Sequence, residues 1–498
     1  MKKVEKATMP HEGPDVEDGD LHDPSRAGSQ KPDAPATADL FDHANGEVDF
    51  RGVSWQGAAI LITKFQIGLG ALSLPETFHT LGFFPGIFCF LLLALISTTA
   101  GYICGNARQY YPHMHSIGDA AELLFGKGAR EFVGIIYYIY LALVAGAGML
   151  TVSVALNALS EHGTCTMVFL AVTCAASFFI GTAFRSLEKV SWLSWIGVAG
   201  IIVSIWITAI ACLAQSRPAV APPGPLDLGI RVLPQTTFPK AMSAIANQLF
   251  AVGGSGTFFS VAAEMKHPHL FTRSLLCGQI FIIATNIAVA SIIYGKIGVY
   301  IASPALGSAG PLIKKIAYGI AFPGLLVTAV LWSHVAAKYA FVRLLRGTRH
   351  LQSNTPQHWA VWIGSMAVTV IFGFIIVGII PFFDDFLSLV GALFNPVLTN
   401  VIPGFMLLFY IARKPIKSDE TGVPSRVEQY TSPDHWLVDA FRAARGSRRD
   451  AVIFVVAWLM IAIGALIIVA GTYATVLGIH STYQKGEVTG VFSCADNS

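Results

Sequence analysis

From Gly57 almost to its end, the chain is built of apolar runs of about 20 residues or more, each long enough as a helix to cross a hydrocarbon core of roughly 30 Å. Repeated runs of this length make the chain an all-α integral membrane protein folded as one multi-helix bundle. Eleven spans are expected, near residues 57–78, 82–107, 131–158, 164–184, 190–214, 240–263, 274–300, 311–336, 358–380, 386–411 and 451–478. Composition agrees: the mean hydropathy is +0.60, and 13% of residues are charged where a soluble protein carries roughly 25%. The 33 basic and 30 acidic residues leave a net charge of +3, too even a balance for a nucleic-acid partner.

Between and around the spans, five stretches are expected. These are a disordered cytoplasmic N-terminal region (1–54), a ten-helix core (55–412), a cytoplasmic loop with an amphipathic helix (413–450), the eleventh helix (451–480) and an extracellular tail (481–498). The head lacks periodicity and an apolar signal core, so the first span serves for targeting. Lys and Arg fix the orientation, because they are retained on the cytoplasmic side. With the head inside, it carries six basic residues and the other inner segments nineteen, against six outside. In the 413–450 loop, Trp436, Leu437, Ala440, Phe441 and Ala444 recur at helical spacing, which suits a helix lying on the inner leaflet or, more plainly, a solvated linker. The seven cysteines show no metal-ligand spacing, and Cys89, Cys104, Cys174, Cys212 and Cys277 fall in apolar runs as packing residues. No metal and no cofactor is expected.

Two spans are poorly suited to unbroken helices. The first carries Gly68-Leu69-Gly70-Ala71 followed by Pro75, and the sixth carries Phe250-Ala251-Val252-Gly253-Gly254-Ser255-Gly256. By helical rise, Gly68 and Gly253 lie near mid-membrane, in corresponding members of two five-helix halves. Because each half has an odd number of spans, the halves are inverted, as in secondary transporters. Unwound backbone is tolerated in a bilayer where it lines a cavity, and there its N–H and C=O groups are open to a ligand. A zwitterion fits: N–H groups of Gly68, Leu69, Gly70 and Ala71 for its carboxylate, and carbonyls at Val252, Gly253 and Gly254 for its ammonium, with Ser255 a further substrate-binding candidate. Tyr140, Phe250 and Phe258 are the candidates for side-chain selection. The plainer reading of such glycines is close helix packing.

Ionisable residues inside the spans are the coupling candidates. Lys64 is either a lysine snorkelling to the headgroups or a tethered cation that replaces a bound sodium ion or joins in proton coupling. Glu264 belongs to an inner gate or proton path or is a solvated helix end, and His334 is a packing histidine or a proton relay. Asn395-Pro396 reads as a kink in the tenth span.

Ile67-Gly68-Leu69-Gly70-Ala71-Leu72-Ser73-Leu74-Pro75, with Phe78 and Gly82, and Glu264-Met265-Lys266-His267-Pro268 after the second break resemble the amino acid/auxin permease family. The resemblance covers about residues 50–412, and the continuation Thr77-Phe78-His79-Thr80-Leu81-Gly82 is most similar to its fungal neutral amino acid permeases. It implies a leucine-transporter-type five-plus-five inverted repeat of the APC superfamily with discontinuous helices 1 and 6. It further implies uptake of neutral amino acids, aliphatic or aromatic, with protons at the plasma membrane, or export at a vacuolar membrane by the same fold. Sodium-coupled relatives tend to carry Asn where this chain has Lys64, which favours protons as the coupling ion. A channel would need ring-forming repeats or an arginine series, and an enzyme a polar catalytic cluster; neither pattern is present. A non-transporting amino acid sensor would keep the same pocket.

Overall fold

A computed structural model describes residues 52–111, 114–184, 187–233, 236–351, 353–380, 383–413, 435–484 and 491–497. The head expected to be disordered lies outside the described residues up to 51, as do 414–434 of the loop expected to be cytoplasmic and 485–490 of the tail. The described secondary structure is helical, apart from a single bridge between Val53 and Met265. In chain order the helices are α1 (Trp55–Ile67), α2 (Gly70–Leu81), α3 (Phe83–Tyr110), α4 (Ile117–Phe125), α5 (Lys127–Ser160) and α6 (Thr166–Ala183). There follow α7 (Leu187–Ala214), α8 (Phe238–Val252), α9 (Phe258–Glu264), α10 (Phe271–Ile297), α11 (Pro311–Leu345) and α12 (Pro356–Ile379). The last are α13 (Phe383–Leu393), α14 (Ile402–Ala412), α15 (Trp436–Gly446), α16 (Arg448–Leu466) and α17 (Thr472–Gln484).

Among the described residues, nine helical segments are long and apolar enough to cross a membrane. Two of these, Phe383–Ala412 and Arg448–Gln484, run on through π-helical turns at Val397–Val401 and Ile467–Gly471. The pair α1 and α2, bent by 45° at its break, makes a tenth. The remaining expected span, 240–263, is not one helix: α8 has 15 residues, α9 has 7, and a break lies between them. The chain alternates between the face where α1 begins, the proximal face, and the opposite, distal face.

Long helices α5 and α11 run antiparallel through the centre. Small residues set their approach: a β-carbon on Gly148 would lie 2.9 Å from the Ala329 Cα, and one on Gly146 would lie 3.3 Å from the Gly373 Cα of α12. This is the packing role that membrane glycines commonly play. The cysteine expectation needs two corrections. Cys165 and Cys494 form a disulfide at the distal face that ties the tail to the start of α6, and Cys277 is exposed on the outside of the bundle rather than packed. The tail is held further by Phe492 against Gly378 and by Asn497, which accepts from Asn157 at 2.7 Å. At the proximal face Trp436 of α15 is buried and donates to the Leu124 carbonyl at 3.1 Å, while Leu437 and Phe441 remain exposed.

Candidate functional site

The two helix breaks touch. Gly70, the first residue of α2, packs on Ala251 so closely that a β-carbon there would collide with the Ala251 backbone. Glycine at 70 is what lets the halves of the first and sixth spans meet. At the other break the Gly253 N–H turns to the Phe250 carbonyl at 3.1 Å, and Gly254 adopts φ 118°, a conformation that glycine alone holds without strain. A 3-10 turn at Ser255–Thr257 then leads into α9.

Breaking a helix frees backbone groups, and the surrounding side chains take up part of them. The Leu249 carbonyl, which Gly253 would have paired in a continuous helix, accepts from the Asn395 amide at 2.9 Å. Asn395 therefore does more than precede a proline kink: it caps the break, and Thr399 and Ser255 extend the chain of hydrogen bonds behind it. The Val252 carbonyl accepts from Ser97 at 2.5 Å, and the Gly254 carbonyl from both the N–H and the hydroxyl of Thr257. A carbonyl has two lone pairs, so the Val252 carbonyl keeps capacity for a ligand while Thr257 takes up both at Gly254. In the first span, α2 starts at Gly70 after an N-cap, Leu69, that gives no side-chain cap, so its first N–H groups, those of Gly70 and Ala71, stand at the positive end of the helix dipole.

The expected selectivity residues separate. Tyr140 meets Trp332 edge-to-face at 6.1 Å, and Trp332 meets Phe65 at 4.9 Å, forming an aromatic group beside the break. Phe65 Cβ lies 3.7 Å from where a Gly254 β-carbon would be. Phe258 packs on Gly101 and Phe271 while its Cε1 lies 3.9 Å from the same Gly254 position, and Phe250 packs against Gly391 of α13. The sequence did not mark Trp332 and Phe65 as site residues, although they lie two residues from His334 and one from Lys64 inside spans already singled out.

The three coupling candidates lie in three different settings. Lys64 is fully buried and does not snorkel: its Nζ donates to the Gly324 carbonyl of α11 at 2.8 Å, and its Cε lies against Gly197 of α7. Thr328 donates to the same carbonyl at 3.0 Å. Glu264 is not a solvated helix end, since it is fully buried and paired with Lys338 at 2.6 Å. His334 is buried edge-to-face on Trp362 at 5.2 Å and faces the backbone of Gly181 and Phe184. Lys338 escaped the sequence reading because the eighth span was expected to end at 336, whereas α11 runs to Leu345. The apolar Ala336, Ala337, Phe341 and Val342 around it were the signal for that extension.

The proximal side is latched. The Val53 N–H donates to the Glu264 carbonyl at 3.0 Å and the Lys266 N–H to Val53 at 2.9 Å, which ties the start of the first span to the end of the sixth. Beside them, Asp119 of α4 accepts from the His115 and Ser116 N–H groups at 2.9 and 3.0 Å and from Arg346 at 2.6 Å. Burial works to raise this carboxyl, but Arg346 and the His115 N–H prevail and hold it below the usual carboxylate range. Burial, with the Lys338 charge second, pushes the His115 imidazole down to about 3, so it stays neutral beside them. The distal side holds a cavity of about 850 Å³ whose lining includes Glu76, Thr77, Lys240, Asn247 and Asp384. Asn247 lies six residues before Gly253, so this cavity reaches to roughly 9 Å from the break by helical rise.

Comparison with known proteins adds three findings. Residues 51–427 match the sequence model of a family described as transmembrane amino acid transporter protein. A transmembrane transporter of Fusarium pseudograminearum is 31% identical over 93% of this chain and 91% of its own length. The N amino acid transport system protein of Neurospora crassa is 27% identical over 90% of each. Among solved structures, Mhp1, a nucleobase-cation-symport-1 family transporter in a closed conformation, aligns with a TM-score of 0.52 at 13% identity over 92% of this chain and 98% of its own. A Na+-coupled sialic acid symporter in an outward-open state aligns with 0.51 at 14% identity over 89% and 92%. At such identities the structural likeness establishes the fold: an inverted five-plus-five repeat with discontinuous first and sixth helices.

Proposed function

The chain belongs to the transmembrane amino acid transporter family, a family of transporters rather than enzymes, and from that membership and the meeting of its two helix breaks we propose a proton-coupled symporter of neutral amino acids. In this reading the uncapped N–H groups of Gly70 and Ala71 receive the substrate carboxylate, aided by the dipole of α2. The second lone pair of the Val252 carbonyl receives the ammonium. Tyr140, Trp332 and Phe65 offer an aromatic wall to an aliphatic or aromatic side chain, with no charged group among them. Transport proceeds by alternating access, with the distal cavity as the way in and the proximal latch opening in turn.

The observation that carries the coupling assignment is the bond from Lys64 to Gly324. The Lys64 amine already occupies the carbonyl that a small cation between the first and eighth spans would use, which supports protons as the coupling ion. We place the proximal face in the cytoplasm and the protein in the plasma membrane. The excess of Lys and Arg supports that side, and so does the Cys165–Cys494 disulfide at the opposite face, since disulfides persist in oxidising compartments. A membrane-impermeant maleimide reaching reduced Cys494 only from the cytoplasmic side would overturn this orientation. The function is tested by uptake of radiolabelled amino acids into proteoliposomes with and without an inward proton gradient, in sodium-free medium. Accumulation should follow the gradient; binding without flux would mark a sensor, and dependence on sodium would defeat the coupling assignment.

A further inference from the structure

Above the break, three side chains join the distal cavity to the proposed substrate site. The Asn247 Nδ2 donates to Asp384 Oδ1 at 3.4 Å, and the Ser73 hydroxyl lies 3.0 Å from Asn247 Oδ1 and 3.1 Å from the Gly70 carbonyl. Asp384 opens α13, Asn247 lies within α8 and Ser73 within α2, so the chain crosses three elements. Asn247 and Ser73 are buried, while Asp384 lines the cavity. The Ser73 hydroxyl has one proton and two acceptors in range, and which of them receives it depends on the face Asn247 presents.

We propose that Asp384 is a positioning residue that sets substrate affinity from the distal side, by steering the Ser73 proton through Asn247 onto or away from the Gly70 carbonyl. The idea rests on the symporter reading and deepens it. When Asp384 is ionised it accepts from the Asn247 amide, Asn247 Oδ1 faces Ser73, and the Ser73 proton is drawn from Gly70. When Asp384 takes a proton from the cavity, its new O–H donates to Asn247 Oδ1, the amide turns over, and Nδ2 donates to the Ser73 oxygen. Ser73 then gives its proton to the Gly70 carbonyl. A carbonyl that accepts a hydrogen bond polarises its peptide, so the Ala71 N–H becomes a stronger donor to a carboxylate. Proton uptake on the distal side thus prepares the site for substrate. The proton that Asp384 binds is a switch and returns to the same side.

Asp384 is surrounded by other charges, which set where this switch operates. Glu76 and His79 of α2 and Lys240 of α8 line the same cavity, with Asp227 and Arg231 from the segment before α8. Asp385 beside it accepts from Thr482 at 3.2 Å, and Asp496 of the tail lines an adjoining cavity. Ser303 hydrogen-bonds Asp384 itself.

The test is the dependence of KM on distal pH in proteoliposomes of the full-length protein, read beside kcat. Wild-type KM should rise at least about fivefold from about pH 5 to about pH 8 with kcat little changed. Asp384→Asn, whose amide can donate to Asn247, should hold KM at its low-pH value throughout, and Asp384→Glu should restore the rise. Ser73→Ala leaves the carboxylate in place but cuts the relay, and should hold KM flat at the high-pH value, so it carries the test if the Asp384 variants do not reach the membrane. A wild-type rise in KM that persists in Asp384→Asn or Ser73→Ala overturns the proposal. Gradient-driven accumulation, measured on the same vesicles, reports separately on the symporter reading: its absence in wild type defeats that reading, whatever the KM profiles show.

Discussion

The Lys64 ammonium and the Gly324 carbonyl, 260 residues apart in sequence, form a 2.8 Å hydrogen bond wholly inside the helix bundle. Two glycines make room for it. A β-carbon on Gly197 would press on Lys64 Cε at 3.2 Å, and one on Gly324 would meet the Gly197 carbonyl at 2.5 Å, so α1, α7 and α11 close around the lysine only because both positions lack side chains. The cation is thereby fixed at the depth of the helix break, four residues before Gly68.

Replacing Lys64 with Met removes the charge without orphaning its partner, because Thr328 still donates to Gly324. Exchange of a buried ion for an apolar side chain of similar volume is often neutral or stabilising. We expect Lys64→Met to keep its thermal midpoint and to lose accumulation driven by a proton gradient. Thermal unfolding of the purified protein and proteoliposome uptake check the two halves separately, and undiminished accumulation would refute the role of Lys64.

The meeting of the two breaks is tested at its tightest points. Gly70→Ala places a methyl on the Ala251 backbone, and overpacking of this kind costs about 1–3 kcal/mol where the backbone must move. Gly254→Leu asks a branched residue to hold φ 118°. Both variants should reach the membrane yet transport at least about tenfold more slowly, the effect of roughly 1.4 kcal/mol on the productive state. Surface expression measured with uptake separates a folding defect from a lost site; wild-type rates in both variants would remove the substrate from this position.

The Glu264–Lys338 pair, both partners buried, should behave as a unit. Removing one partner, in Glu264→Gln or Lys338→Met, breaks a buried pair and should destabilise by about 3–5 kcal/mol, whereas the double variant should recover much of that loss. The cycle is read from thermal midpoints in detergent. Additive losses would mean that the two side chains act independently.

Asp119 gives a pH dependence whose sign follows from its folded environment. Its carboxyl is held below its ordinary value in the fold, so its contribution to stability is complete above the unfolded value of about 4 and is lost as pH falls through the folded one. Asp119→Asn should therefore lower the thermal midpoint at neutral pH, and the gap from wild type should close on acidification below about pH 4. A gap that stays constant across that range would show that the ion pair with Arg346 is not its source.

The sequence alone settled the class of fold and where it is interrupted. Apolar length demands membrane-crossing helices, and the glycines at 68, 70, 253 and 254 mark the breaks, since both are local consequences of what backbone and side chain can do in lipid. Which groups meet across the bundle was not legible, because it depends on pairs far apart in the chain. Lys64 finds Gly324, Glu264 finds Lys338, Asn395 caps a carbonyl of α8, and Cys165 finds Cys494 only once the helices are packed. A buried polar group must find a partner, and the sequence states the need while packing alone chooses who meets it.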